Sequence, residues 1–245
     1  MRQNARVLVV GIGGLGCPAA LALARAGVGT LGLADDDAVD VTNLHRQILF
    51  TEADVGEHKV HAASRALVAQ VPSLRVVEHT TRLLPHNAVE LVSAYDLVVE
   101  GSDNFATKFL AADACALAKV PVVHAAAVRW NGTVLAVGRD GQPCYRCLFE
   151  DLPVGDAAPN CAEAGVVGPM VGVVGALQAD LALALLGGKD VAGTLVTYDG
   201  KTDALRRRRI TARTTCALCG TRSIEPIEHI EAARYAPEGQ RGDTP

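Results

Sequence analysis

The segment from Arg6 to Gly16 places the tightest constraint on how this chain can fold. Arg6 to Val10 (RVLVV) is a β-branched apolar run that predicts a strand, and it stops at GIGGLG. Gly11, Gly13 and Gly16 fit GxGxxG in the context the motif requires, after a strand and opening a helix. Gly14 to Ala26, rich in Ala and Leu and closed by Gly27, predicts that helix. Glycines let backbone come close to phosphates, and a helix N-terminus offers unpaired N–H groups and a partial positive charge. The next predicted strand, Thr30 to Ala34, runs directly into Asp35, Asp36 and Asp37. There the Asp35 carboxylate can accept hydrogen bonds from ribose hydroxyls. The chain therefore opens as an adenine-nucleotide site.

The alternation continues. After a polar, irregular stretch from Val41 to Glu57, Lys59 to Gln70 predicts a helix stopped by Pro72. Leu74 to His79 predicts a strand, Asn87 to Ser93 a helix, Leu97 to Glu100 a strand, Ala106 to Ala118 a helix and Val122 to Ala126 a strand. This order gives an α/β fold, a Rossmann-like nucleotide-binding domain with a mostly parallel sheet covered by helices on both faces. The pattern then changes. Gly132 to Val137 predicts a strand leading to Cys144 and Cys147, Asp151 to Gly168 a long loop, and Pro169 to Leu186 an apolar helix. Two late strands, Leu195 to Asp199 and Leu205 to Ile210, extend the sheet before Cys216 and Cys219. No repeat or linker interrupts the chain, so residues 1–235 read as one domain and 236–245 as a disordered tail.

Composition removes several classes. With 49% hydrophobic residues and a net charge of −4, the chain is too apolar and too weakly charged for intrinsic disorder. A pI near 6.0 argues against a dedicated nucleic-acid binder, whose domains usually lie above about 9. Pro169, Gln178 and Asp180 interrupt the most apolar stretch, so a buried helix is expected there, with no membrane partner. Met1 to Arg6 leads into a strand with no leader, which points to the cytoplasm. In that reducing compartment, Cys144-x-x-Cys147 and Cys216-x-x-Cys219 read as a closed four-thiolate structural zinc site. Cys17 and Cys115 fall within helices as small buried hydrophobes, and Arg206 to Arg209 alternate across an edge strand and so form no single basic patch.

The residues after the acidic turn suit a triphosphate better than a dinucleotide. A nucleoside triphosphate needs fixed cations and a metal. Thr42, Asn43 and Arg46 follow the turn, Lys59 opens the next helix, and Ser102, Asp103 and Asn104 lie at the end of the fourth strand, where ligands of open α/β sheets bind. Taken singly, Arg46 could pair with a surface carboxylate and Asp103 could cap the helix that follows.

GIGGLG, the acidic turn, NLHRQ, GEHKV, SDN, CYRC, NCAEAG and CALC occur in the order found in the ThiF/MoeB adenylyltransferases, relatives of the catalytic core of ubiquitin-activating enzymes. The chain resembles that family from about Arg6 to Gly220. The resemblance implies use of ATP and Mg²⁺ to adenylate the C-terminal glycine of a ubiquitin-like sulfur carrier protein, with a thiocarboxylate formed later for molybdopterin, thiamine or related biosynthesis. It places Gly14 on the phosphates, Asp35 on the ribose, Asn43, Arg46 and Lys59 on the phosphates and Asp103, beside Asn104, on Mg²⁺. It also implies zinc at the four cysteines and a loop cysteine, Cys161, that crosses the active site as a catalytic candidate. A sulfurtransferase or persulfide donor is a further expected partner. Relatives pair as homodimers, for which Pro169 to Leu186, with Gly172 and Gly175 allowing close approach, is the candidate contact. They carry a longer N-terminal arm with an arginine reaching the neighbouring ATP site, whereas only Met1 to Ala5 precede the first strand here. The alternatives are an NAD-dependent oxidoreductase and a nucleotide-binding scaffold without activity.

Overall fold

A computed structural model describes residues 2–152 and 165–235. The apolar run at the start forms β1 (Arg6–Val10), whose last four residues are buried, and its β-branched side chains fill both faces of the sheet. Helix α1 (Gly16–Arg25) follows, then β2 (Thr30–Ala34), α2 (Lys59–Gln70), β3 (Arg75–His79), α3 (Ala88–Ser93), β4 (Leu97–Glu100), α4 (Phe105–Ala118) and β5 (Val122–Val128). The second half adds β6 (Asn131–Val137), a single turn α5 (Tyr145–Leu148), the long helix α6 (Gly168–Leu186), β7 (Thr194–Asp199) and β8 (Ala204–Arg209).

One eight-stranded sheet results, in the order β3-β2-β1-β4-β5-β6-β7-β8. The first five strands are parallel. From β5 onward each pairing is antiparallel. Helices α1, α2 and α6 bury one apolar cluster with residues such as Val9, Leu31 and Val123, while α3 and α4 cover the other face around Leu8, Val98 and Phe109. Predicted element ends differ from the observed ones by a residue or two. Helix α1 starts at Gly16 and not Gly14, because Gly13 and Gly14 are spent in the loop, and α5 is too short to leave a periodic signal.

Helix α6 is long and apolar enough to cross a membrane by length and composition. It lies instead against β5, β6 and α1, and the buried Gln178 amide donates to Glu100 O and Val123 O, both at 2.8 Å. Gly175 is spent on this packing, since a Cβ there would stand 2.6 Å from Pro18 Cγ and 2.7 Å from Leu15 O. Only Gly172 of the two glycines expected at a dimer contact faces open space. Strand β8 is one edge of the sheet, where Arg207 reaches Asp180 and Arg209 reaches Asp190 on one face, while strand alternation turns Arg206 and Arg208 to the other.

Helix α4 is tied to the cysteine-bearing segment by a buried ion pair. Arg146 donates Nε and Nη2 to the two Asp113 carboxylate oxygens at 2.8 Å each, stacks 4.7 Å over the Phe109 ring, and shares Asp113 with the Tyr235 hydroxyl at 2.7 Å. Removing one partner of such a pair strands a charge in the core. Arg146→Ala is therefore expected to lower the unfolding free energy by about 3–5 kcal/mol in denaturant titrations.

Candidate functional site

Strand β1 connects through α1 to β2 on one side, and β4 connects through α4 to β5 on the other, so the sheet order reverses between β1 and β4. Ligands of open α/β sheets bind in the crevice this reversal leaves at the strand C-termini. The glycine loop fills its floor. Gly11 has φ +83° and sits where a Cβ would meet Ser102 N at 3.2 Å, and at Gly16 a Cβ would lie 1.9 Å from Gly11 O. A cleft of about 350 Å³ opens above, within the roughly 300–1,000 Å³ of small-molecule sites. Its walls include Gly11, Gly13 and Gly14 from the loop, Asp35 from the end of β2, and Asn43, Arg46, Lys59, Asp103 and Asn104 from three further segments. Gly16 and Thr42 do not line it. Gly16 serves the loop's packing, and Thr42 is exposed, with its N and Oγ1 bonded to Asp40.

The acidic turn is heavily paired. Asp35 accepts from Ile12 N at 2.7 Å and from Asp37 N at 2.9 Å, and burial pushes its carboxyl above the usual range. Lys59, nearly buried, places Nζ 2.7 Å from Asp37 Oδ2 and 3.9 Å from Asp35 Oδ1. Burial would raise Asp37, but the Lys59 hydrogen bond and charge hold it below the ordinary range. Arg82 donates Nε to both Asp36 oxygens, at 2.7 and 2.8 Å. Arg46 contrasts with these cations. Its Nη1 donates to Thr42 O at 3.4 Å, and among the described residues no carboxylate pairs with it. The surface ion pair open to it from sequence is therefore absent among those residues.

On the opposite wall, Asn104 and not Asp103 caps α4, its side chain accepting from Thr107 N at 2.8 Å. Asp103 stays exposed on the cleft wall and, among the described residues, without an ion-pair partner. It is thus the carboxylate open to a cation such as Mg²⁺, while Asp35, Asp36 and Asp37, close enough to share an ion, already answer to backbone N–H groups, Arg82 and Lys59. Four aspartates line the cleft against three cations, so a polyanion entering it brings the need for a divalent metal.

Behind that wall lies Glu100, fully buried at the end of β4. Burial would raise its pKa, but Lys108 and His124 beside it hold it down at about 2. The same burial pushes His124 below the usual imidazole range. Sequence reasoning placed no role on Glu100, Lys108 or His124, because the contacts join residues far apart in the chain. Gln47, Arg82 and Leu83 also line the cleft. Arg82 and Leu83 follow β3 at its C-terminal end, and the rule that ligands sit at those ends is the signal that would have found them.

The four cysteines meet. Sγ of Cys144 lies 3.4 Å from that of Cys216 and 3.9 Å from that of Cys147, and Sγ of Cys147 lies 3.3 Å from that of Cys219. A tetrahedral ion with bonds of about 2.3 Å needs sulfurs roughly 3.8 Å apart, so the cluster fits structural zinc once the two shorter pairs open slightly. Hydrogen bonds from the neighbouring thiols hold Cys219 below the ordinary thiol range, while its charge and burial push Cys144 and Cys147 up. Cys17 and Cys115 are buried thiols, Cys17 pushed up to about 12 by burial. Cys161 lies outside the described residues, as do most of the expected loop and the tail from residue 236.

The profile of the ThiF family matches residues 2–219. A sulfur carrier protein adenylyltransferase of Thermus thermophilus is 45% identical over 226 residues, which cover 89% of this chain and 83% of that protein. The adenylyltransferase and sulfurtransferase MOCS3 of Anopheles gambiae is 42% identical over 220 residues, 89% of this chain and 50% of that one. The chain thus spans about half the length of the MOCS3 relatives it matches. Among solved structures, that of E. coli MccB superposes with a TM-score of 0.80 at 23% identity, covering 94% of this chain and 69% of the other, which speaks to the fold alone.

The cysteine geometry carries its own prediction. Purified protein is expected to hold one equivalent of zinc per chain by elemental analysis. Cys216→Ser is expected to lose that zinc and unfold at lower temperature, because structural metal binding contributes directly to folding free energy.

Proposed function

Because the chain belongs to the ThiF family, we propose that it is an ATP-dependent adenylyltransferase that activates the C-terminal glycine carboxylate of a ubiquitin-like sulfur carrier protein. One observation carries the reading. The cleft is lined by Arg46, without a carboxylate partner among the described residues, and by Asp103, open to a cation, together with the glycine loop. An NAD oxidoreductase has no use for that pair. The Thermus relative is a sulfur carrier protein adenylyltransferase by name, which supports the same acceptor.

The chemistry asks little of the protein beyond placement and charge. The acceptor carboxylate is already a nucleophile. Its oxygen bonds to the α-phosphorus as the bond to the bridging oxygen of pyrophosphate breaks, giving acyl-adenylate and pyrophosphate. No proton moves, so no general base is required, and orientation with electrostatic stabilisation supplies the rate. Loop N–H groups at the start of α1 face the phosphates, and Asp35 at the end of β2 is placed for the ribose. Arg46 and Asn43 neutralise and orient the phosphate oxygens, and Lys59 is able to exchange its Asp37 contact for one to them. Mg²⁺, held by Asp103, would offset the charge of the departing pyrophosphate. The acyl-adenylate would then pass to a sulfur donor for molybdopterin, thiamine or related biosynthesis.

Homodimerisation belongs to the same reading. The outward side of α6 is apolar at Val173 and Ala176, and Gly172 leaves room for a close neighbour there. Sedimentation at micromolar concentration is expected to give a dimer, and a strict monomer with full activity would exclude one as the working unit.

The function itself is tested by ATP–pyrophosphate exchange with purified sulfur carrier proteins. Exchange is expected to require a carrier with a free C-terminal glycine. Asp103→Ala is expected to reduce it by at least about a hundredfold while leaving the fold intact, in line with the loss of one transition-state charge partner. Exchange without any carrier, or unchanged exchange in Asp103→Ala, would sink the reading.

A further inference from the structure

The turn that presents Asp103 is short, polar and exposed, yet it is fastened from beneath by a buried charge cluster. One Glu100 oxygen accepts from Ser102 N at 2.8 Å and also from the Ser102 hydroxyl. The other accepts from Lys108 Nζ at 2.9 Å and lies 3.2 Å from His124 Nδ1. Lys108, one turn into α4, also donates to Ala125 O at 2.6 Å on β5. A single carboxylate therefore joins the end of β4, the turn, the first turn of α4 and the neighbouring strand. At the far end of the turn, the Asn104 cap fixes the same helix. Gly11 packs on the near end, where a Cβ would stand only 3.2 Å from Ser102 N.

Such a cluster is an expensive way to gain stability. Glu100, Lys108 and His124 are 0%, 3% and 2% exposed, and among the described residues His124 Nε2 has no hydrogen-bond partner. Desolvating an ion pair commonly costs as much as its attraction returns, and well-packed apolar replacements are often as stable or more so. What the cluster does supply is geometry. It allows the Ser102 backbone one position relative to the glycine loop, and Asp103 follows directly.

We propose that Glu100 and Lys108 are positioning residues that set the Asp103 carboxylate for the metal–nucleotide complex. The proposal rests on the adenylyltransferase reading, and it concerns residues that do not themselves line the cleft. Groups that orient a metal ligand from behind typically change metal affinity about 10–100-fold when replaced.

The test uses the full chain and a fluorescent ATP analogue titrated with and without Mg²⁺. Glu100→Gln keeps an acceptor for Ser102 but leaves Lys108 charged and unpaired, so it is examined beside Glu100→Gln/Lys108→Met, which removes both charges. The double variant is expected to fold and to bind the analogue in EDTA as the wild type does. Its Mg²⁺ midpoint is expected to rise about 10–100-fold. In exchange assays at limiting Mg²⁺ its rate is expected to fall, and to recover as Mg²⁺ is raised, which a loss of stability would not produce. Lys108→Arg, which restores the buried pair, is expected to stay near wild type. A wild-type Mg²⁺ midpoint in the double variant would overturn the proposal. So would its failure to fold, which would assign the cluster to stability alone. If the wild type itself shows no Mg²⁺-dependent binding of the analogue, the functional reading is what fails.

Discussion

Three glycines interlock where β1 and β4 end, and the cleft is built on that contact. Gly11 holds φ +83° with Gly101 and Ser102 close against it, Gly16 admits no side chain because Gly11 O lies in the way, and Gly101 in turn rests on Leu15 and Gly16. Two loops that leave adjacent parallel strands for opposite faces of the sheet can therefore touch backbone to backbone. That approach brings the start of α1 and the turn before α4 to one small floor. A larger residue at Gly16 would force the loops apart and separate the N–H groups of one from the carboxylate of the other.

Helix α4 carries the consequences outward. Lys108 ties its first turns to Glu100 beneath the cleft, and Asp113, further along, ties it to Arg146 between the zinc-type cysteines. Both pairs are buried, and both connect segments that are distant in sequence. Apolar contacts along α4 hold it to the sheet, but they are compatible with small slides of the helix. A charge pair buried on each side of the same helix resists them, since any slide leaves an unpaired ion in a medium that solvates it poorly. The cysteine cluster thereby shares a rigid element with the cleft wall.

What could be read from the sequence follows from how local each signal is. The strands and helices of the first half announced themselves through apolar runs, glycine stops and Pro72, all short-range features, and the reversal after β5 showed as a change of pattern. The cysteine pairs were legible because their spacing is itself a geometric statement. Asp103 could be read as either helix cap or cation ligand, because Asp and Asn both suit the cap position, and only the folded turn gives the cap to Asn104. Gly175 reads equally well as an intermolecular or an intramolecular contact until Pro18 is seen beside it. Glu100, Lys108 and His124 left no sequence pattern, because their association exists only once β4, α4 and β5 are packed.

The distribution of charge in the cleft explains why the carboxylates there are not interchangeable. Asp35, Asp36 and Asp37 are consecutive, and among them they engage Ile12 N, Arg82 and Lys59. Any cation placed on that turn must first displace a guanidinium or an ammonium, or a backbone bond that shapes the glycine loop. Asp103 carries no such obligation among the described residues, and its turn is held by Glu100 and by the Asn104 cap and not by its own side chain. The fold thus separates two tasks that a carboxylate could perform together only poorly. One group of aspartates fixes the loop and its cations, while a single aspartate, fastened from behind, keeps its charge for what enters the cleft.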